Sequence, residues 1–166
     1  MNIFIMAVGK IKETFFKEGI TEYSKRLKNY CKLEIFEVED ERLVEPVSEG
    51  TKAQVKLKEA NRITEKIKIL CPENRGKTVV VALDVSGKKV TSEGLANLLV
   101  KYMTDGKSSI IFVIGGSIGF DEAFLEKVDF RLSMSDLTFP HQMARLMLTE
   151  QIYRAFKIIN NETYHK

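Results

Sequence analysis

The sequence predicts a single α/β domain with a mostly parallel β-sheet. Continuous apolar runs, which suit strands buried on both faces, alternate with segments whose apolar residues recur every three or four positions. This alternation is typical of strands joined by helices in a parallel sheet. The chain has 166 residues, which is enough for one domain and short for two, so we assign residues 1–166 to one domain.

The first half of the chain predicts two strands and two helices. Ile3–Val8 is a continuous apolar run that ends at Gly9, and Leu33–Val38 is the second strand. The first helix lies between them, and its apolar stripe is Phe16, Ile20, Tyr23, Leu27 and Tyr30. An acidic loop at 37–50 then precedes a charged helix. That helix carries the apolar residues Val55, Ala60, Ile63, Ile67 and Leu70.

The middle of the chain predicts a third strand and a third helix. The connector 71–77 leads into TVVVALD at 78–84, and SGKK at 86–89 is expected to turn the chain. Thr91 or Ser92 is the expected helix cap, because each offers a side-chain oxygen to the free amides of the first turn. The buried face of this helix is predicted to hold Leu95, Leu98, Leu99 and Tyr102.

The last third predicts two strands and the longest helix. A turn at 105–107 precedes the fourth strand, 109–115, and a short helix is expected near Asp121. The fifth strand is predicted at 129–134. The final helix spans about 139–159, with Thr138 and Pro140 marking its start, and a short polar tail follows.

Composition limits the classes of partner. Apolar residues make up 44% and charged residues 30%, as in globular proteins, and the net charge is +3. That charge permits an anionic partner but lacks the dense basic stripe of a dedicated duplex-binding domain. No segment is long enough to span a membrane, and the first apolar run is too short for a secretory signal. We expect a cytoplasmic protein with no membrane partner.

Cysteine and histidine are scarce. Cys31 and Cys71 lie far apart and outside any CxxC motif, so we expect free thiols. With only His141 and His165, a zinc site is poorly supplied, and we expect no metal.

Ligands of parallel sheets collect beyond the carboxyl ends of the strands, which here end at 83–85 and 115–117. The second position holds the motif GGSIG. It is not a dinucleotide fingerprint, because Ser117 and Phe120 stand where glycines are required, and no Gly-Lys-Ser/Thr follows it. Its glycines indicate either a tight turn or a close backbone approach to a ligand.

The segment MSDLTFPHQMAR, 134–145, leaves the fifth strand and enters the last helix. Its residues suit either ordinary capping by Thr138 or a ligand-binding loop. His141 and Arg145 lie one turn apart, on a face that either binds an anion or meets water. Arg154 lies about opposite that face, so we do not expect one compact site within one chain to use both groups, whereas a dimer could bring them together.

Glu150 and Arg154 are spaced as an ordinary surface ion pair on the last helix. The pair Tyr164-His165 is either a frayed end or a functional tail.

Several segments together resemble the RlmH family of small SPOUT-type methyltransferases of the large ribosomal subunit RNA. The resemblance covers essentially the whole chain, and its matched segments are IFIMAVGKIKE, TEYSKRL, VALDVSGKKVTSEGLA, FVIGGSIGF, LSMSDLTFPHQMARLMLTEQIYRAFKI and the terminal YHK. It implies an α/β knot with a C-terminal trefoil knot, a homodimer, and S-adenosylmethionine as cofactor. The implied reaction methylates N3 of a pseudouridine in the helix 69 loop of 23S rRNA. Because the net charge is only +3, we expect the protein to recognise an assembled ribosome more than naked RNA.

The resemblance also implies the site residues. The cofactor positions carry over to Leu83, Gly115, Met134, Ser135, Asp136, Leu137, Thr138 and Phe139. These residues offer apolar surface for an adenine ring, and Gly115 permits close approach. The family's C-terminal pattern and residue chemistry suggest His165 as the general base. Tyr164 would stack on or bond to the target nucleobase, and Arg154, from a partner subunit, would stabilise the developing imide charge or bind a phosphate. Surface cations that suit RNA phosphates are Lys10, Lys12, Lys25, Arg26, Lys88 and Lys89.

Two other functions remain open at this level. One is a non-enzymatic nucleotide-binding or ribosome-associated module, because the chain shows no obvious nucleophile. The other is a flavodoxin-like redox or signalling domain, which is disfavoured because VGKIK, rather than an acidic cluster, follows the first strand.

Overall fold

A computed structural model describes residues 1–43, 46–71 and 75–164, without the side chain of Arg75. The predicted acidic loop and connector therefore fall partly outside the described residues, and His165 lies wholly outside them. The elements in chain order are β1 (Asn2–Val8), α1 (Thr14–Leu27), β2 (Lys32–Val38), α2 (Glu49–Leu70), a 3-10 turn (Arg75–Lys77), β3 (Thr78–Lys89), α3 (Ser92–Thr104), β4 (Ser109–Ile114), α4 (Glu122–Leu125), β5 (Phe130–Ser133) and α5 (His141–Ile159).

The five strands form one sheet in the order β2-β1-β4-β3-β5, and every strand pair is parallel. The predicted α/β fold with a parallel sheet is confirmed. Because all strands run the same way, their carboxyl ends meet at a single edge, where the loops after β1, β3, β4 and β5 converge.

Two hydrophobic layers cover the sheet. Side chains alternate along β1, so Ile3 and Ile5 face one layer while Phe4 and Met6 face the other. The first layer contains α1, α3 and α5, and the second contains α2 and α4. In the first layer α5 packs against both α1 and α3, so the last helix is held between two earlier ones.

The third strand is longer than predicted. It runs to Lys89 instead of turning at SGKK, with a register shift between Leu83 and Lys88. Lys88 and Lys89 pair with Leu132 and Ser133 of β5, so strand pairing continues past the irregularity. Gly87 is required there, because a Cβ would lie 2.7 Å from the Arg131 backbone.

Helix starts follow the sequence signals, with one correction. Thr91 caps α3 by accepting from the Gly94 amide, and Asp121 caps α4. The last helix begins at His141, with Pro140 at the cap position and no side-chain cap, so Thr138 does not cap it.

Both cysteines are free, Cys31 buried and Cys71 half-buried. Among the described residues, no helix has the length and apolar character needed to cross a membrane, and no group of three acidic, cysteine or histidine side chains is placed to hold a metal ion.

Candidate functional site

A cleft of about 700 Å³ opens at the carboxyl edge of the sheet. Three segments wall it: the exit of β3, the GGSIG turn after β4, and the chain from the end of β5 into α5. These are the two strand ends singled out from the sequence, together with the MSDLTFPHQMAR segment.

Seven of the eight positions that the family resemblance assigned to a cofactor line this cleft. They are Leu83, Gly115, Met134, Ser135, Leu137, Thr138 and Phe139. The exception is Asp136, whose carboxylate is 77% exposed and pairs with the Lys89 ammonium at 2.5 Å. The structure thus brings most of the predicted set together, while Asp136 faces away toward β3.

Two of the three glycines in the GGSIG turn, Gly115 and Gly119, are explained by different structural constraints. Gly119 adopts φ +77°, a left-handed conformation that favours glycine. Gly115 lies in the cleft wall, where a Cβ would sit 3.2 Å from the Phe120 ring. A side chain at Gly115 would therefore take up space inside the cleft.

The loop after β5 is held by serine hydroxyls. The Ser133 hydroxyl donates to the Ser135 carbonyl at 3.1 Å, and the Ser135 hydroxyl accepts from the Leu137 amide at 3.0 Å. Leu137 is left 69% exposed at the rim of the cleft. A mainly apolar cleft with a few fixed polar groups suits a flat heteroaromatic ring with a polar edge.

Arg145 does not serve as an anion site. It is fully buried in the first half of α5, where its guanidinium donates to the Glu37 carboxylate and to the Gly9 carbonyl, both at 2.9 Å. Burial lowers the pKa of Arg145 and the Glu37 contact opposes that shift. The residue therefore ties α5 to β2 and to the exit of β1, which corrects the reading of this face as an anion site or a solvated surface.

His141 lies in the cleft wall above the exit of β1. Gly9 has φ +85°, and a Cβ there would sit 3.0 Å from the His141 Nε2. The pKa of His141 is lowered by burial and then by the nearby Arg145 charge, while Asp40 opposes the shift. The imidazole is therefore neutral near pH 7 and able to accept a hydrogen bond.

Tyr164 and Arg154 lie elsewhere, near the other end of α5. The Tyr164 hydroxyl donates to the Glu150 carboxylate at 3.1 Å and lies 3.4 Å from the Tyr23 hydroxyl. The Arg154 guanidinium donates to the same carboxylate at 2.6 Å and sits 4.8 Å from the centre of the Tyr164 ring. The tail up to Tyr164 is therefore docked rather than frayed, and the Glu150–Arg154 pair is part of a network.

The two groups of predicted site residues are separated within one chain. Arg154 follows His141 by thirteen residues of continuous helix, which at ~1.5 Å per residue is roughly 20 Å along the axis. One chain therefore does not bring Arg154 and Tyr164 to its own cleft.

The sequence analysis missed Glu59 of α2. Its side chain is only 5% exposed and accepts from the Glu41 amide at 3.2 Å. Burial raises its pKa. A Cβ on Gly116 would lie 2.6 Å from a Glu59 carboxylate oxygen, so Glu59 packs directly behind the GGSIG turn. The available signal was its spacing of four from Val55 and Ile63, which places a charge on the buried stripe.

Comparison with known proteins agrees with the geometry. The family described as "Predicted SPOUT methyltransferase" matches residues 1–165. A protein of Acetivibrio thermocellus named ribosomal RNA large subunit methyltransferase H is 54% identical over 166 residues, the full length of both chains. A protein of the same name from Ruminiclostridium cellulolyticum is 48% identical, again over the full length of both.

Solved structures support the fold alone. A probable methylase family protein from Haemophilus influenzae matches with a TM-score of 0.56 at 17% identity, covering 99% of this chain and 70% of the other. The SpoU methyltransferase AviRb from Streptomyces viridochromogenes matches with a TM-score of 0.51 at 8% identity, covering 98% and 62%. The full-length relatives and the family match together show that this chain belongs to the ribosomal RNA large subunit methyltransferase H (RlmH) family of SPOUT methyltransferases.

Proposed function

We propose that this protein transfers a methyl group from S-adenosylmethionine to N3 of a pseudouridine in the helix 69 loop of 23S rRNA, in assembled ribosomes of the cytoplasm. The observation that carries the proposal is the convergence of seven resemblance-assigned cofactor positions on one cleft at the carboxyl edge of the sheet. The names of the full-length relatives support ribosomal RNA of the large subunit as the acceptor.

The residues of the cleft fit the cofactor. Leu83, Met134 and Leu137 offer apolar surface for the adenine ring, and Gly115 leaves room where any side chain would intrude. Adenosylmethionine, when bound, supplies a methyl group already activated by its sulfonium charge. The protein's own task is then to orient the acceptor and to remove a proton from its imide nitrogen.

We assign the proton-accepting role to His165, with Tyr164 contacting the target base and Arg154 stabilising the developing negative charge or binding a phosphate. The separation of roughly 20 Å along α5 keeps Arg154 and Tyr164 from the cleft of their own chain. We therefore propose a homodimer in which one subunit's chain end completes the partner subunit's cleft. We further propose that the chain end is knotted, as the family implies; the direct step from the cleft loop into α5, held between α1 and α3, suits such threading.

We propose the assembled ribosome as the acceptor because a net charge of only +3 is low for the capture of naked RNA through its phosphates. Shape recognition of a preformed surface needs fewer phosphate contacts than capture of a flexible RNA. Of the six surface cations named from the sequence, Lys89 is engaged with Asp136 and Arg26 with Glu22.

The test is methyl transfer from labelled adenosylmethionine to naked 23S rRNA, isolated large subunits and whole ribosomes, all taken from cells that lack this protein. We expect the label on assembled ribosomes, and mass spectrometry of the RNA to place it on one pseudouridine. Equal rates on the three acceptors would contradict the preference for ribosomes. A lack of transfer to any of them, with adenosylmethionine bound in calorimetry, would instead favour a non-enzymatic binding module.

A further inference from the structure

A second cleft adjoins the first and shares one residue with it. Its volume is about 610 Å³, and it lies beside the exit of β1. Its walls are Lys10, Lys12, Glu39, Asp40, Glu41, Arg42, His141 and Gln142. His141 borders both clefts, so its imidazole ring lies between them.

The first two turns of α5 fix the backbone of this second cleft. The Gln142 side-chain oxygen accepts from the Lys12 amide at 2.7 Å and from the Glu13 amide at 3.4 Å. The Glu37 carboxylate accepts from the Ile11 amide at 2.9 Å, and Arg145 holds the Gly9 carbonyl. The loop between β1 and α1 is thereby anchored by side chains from two other elements, which is typical of a preorganised site.

The charges of the second cleft are only partly neutralised. Glu41 forms ion pairs with Lys58, at 3.4 Å, and with Arg62. Within the described residues, Lys10 and Lys12 take part in no ion pair, and both are exposed. Glu39 and Asp40 add carboxylates to the same rim. The cleft therefore offers cations for an anionic group and acceptors for N–H donors, as a nucleotide requires.

We propose that the second cleft is the acceptor subsite, in which Lys10 and Lys12 hold the phosphates of the target nucleotide while its base lies against His141. The inference rests on the proposed function and adds to it a place on this chain for the RNA. A uracil-type base carries one imide N–H between two carbonyls, and a neutral imidazole can exchange a hydrogen bond with that edge. Burial is the largest influence on the pKa of His141 and lowers it; of the charged groups that act on the ring, Arg145 and Lys12 also lower this pKa, and Asp40 raises it.

The test compares two double variants with the same change of charge. In Lys10→Glu/Lys12→Glu both substitutions lie in the second cleft. In the control, Lys77→Glu/Lys127→Glu, both lie before β3 and β5, at the opposite edge of the sheet, and both lysines are exposed. We expect the cleft variant to raise the KM for the ribosomal acceptor by about tenfold or more, because two charge-assisted phosphate contacts are lost. The Kd for adenosylmethionine should stay within about twofold of the wild-type value, and the control should differ little from wild type.

A second measurement does not depend on methyl transfer. The dinucleotide uridylyl-uridine is titrated into the protein and followed by the ring signals of His141, with His165→Asn used to assign them, because the chain has two histidines. We expect the His141 signals to shift in wild type and in the control variant but not in Lys10→Glu/Lys12→Glu.

The outcomes separate the two proposals. Equal KM values in both double variants, or a fall in cofactor affinity in the cleft variant alone, would overturn the acceptor subsite and leave the methyltransferase function intact. If wild type methylates no ribosomal RNA, the proposed function fails, and the His141 signals alone decide whether this cleft takes a nucleotide.

Discussion

The two ends of α5 carry the two groups of residues that the family resemblance assigned to the site. The first end borders open clefts, whereas the second end is closed by contacts within the chain. At the first end, His141 borders two open clefts, with the cofactor positions around it. At the other end, Arg154 and Tyr164 both donate hydrogen bonds to the Glu150 carboxylate, and the Arg154 guanidinium lies over the Tyr164 ring. The contrast accords with our proposal that one chain forms the cofactor half of the site and delivers the catalytic half to a second chain.

The largest effect should come from removing the chain end. A protein that lacks residues 164–166 should lose methyl transfer by more than about a hundredfold while binding adenosylmethionine normally, because acid–base groups contribute on the order of 10² or more to rate. Single-turnover transfer and calorimetry measure the two quantities. Full activity in the truncated protein would remove His165 and Tyr164 from the mechanism.

Mixing experiments then test delivery between chains. The partner for the truncated chain is Gly115→Val, whose side chain would occupy the cleft beside Phe120. Each protein should be inactive alone, whereas mixed dimers should recover activity at one of their two clefts. An absence of recovery in confirmed mixed dimers would place both halves of the site in one chain.

Two arginines on the same helix give the next prediction. Arg145→Ala should lower the free energy of unfolding by about 3 kcal/mol, because it leaves Glu37 and the Gly9 carbonyl without their buried partner. Arg154→Ala should cost less than about 1 kcal/mol, because its ion pair with Glu150 is partly exposed. Urea denaturation measures both, and similar losses would refute the distinction between the two ends of α5.

A smaller effect is expected behind the GGSIG turn. Gly116→Ala should destabilise the fold by about 2 kcal/mol, because the new methyl group would lie 2.6 Å from the Glu59 carboxylate. Gly76→Ala is the matched control, since none of the residues that the structure describes lies within 4 Å of its added carbon. Adding Glu59→Ala should make the Gly116 substitution nearly neutral, as a double-mutant cycle would show. If the losses of unfolding free energy were additive, the Glu59 side chain would not be the reason that Gly116→Ala is destabilising.

The smallest effect is a pH dependence from Glu59. Its pKa is raised in the folded state by burial, so the folded protein binds more protons than the unfolded chain in the range just above the ordinary value for a glutamate. The stability from this group is therefore present at low pH and lost as pH rises through the folded pKa. We would measure the unfolding free energies of wild type and Glu59→Gln at pH 5, 6 and 7. The stability of wild type relative to that of the variant should increase as pH falls. A constant difference would indicate that Glu59 stays charged throughout.

Local patterns predicted most of the elements. The apolar runs gave β1, β2 and β4 to within a residue or two, and Thr91 and Asp121 marked helix starts correctly. The continuation of β3 through SGKK was missed because those residues are held by pairing with β5, which no local pattern reports. Strand order likewise depends on contacts between segments far apart in the chain.

The candidate site likewise contains residues that could be predicted from a sequence motif and residues whose roles depend on contacts with distant segments. Its cofactor positions came from a long matched motif, and the parallel sheet explains why they converge. The roles of Arg145 and Glu59 could not be read from their own segments, because each is defined by a backbone group or a glycine on another element. Asp136 was placed in the cofactor set by the family resemblance, and its carboxylate pairs with the Lys89 ammonium instead of lining the cleft.

The anchoring of the β1–α1 loop by α5 has a consequence for how the protein is made. The bonds from Gln142 to Lys12 and from Arg145 to Gly9 span 130 and 136 residues, nearly the whole length of the chain. Contacts between such distant segments form late and slow the folding of a domain. During translation the loop that bears Lys10 and Lys12 therefore lacks its two α5 anchors, although Glu37 of β2 is already present, until the last helix has left the ribosome. A nascent chain of this protein therefore completes its second cleft only at the end of its synthesis.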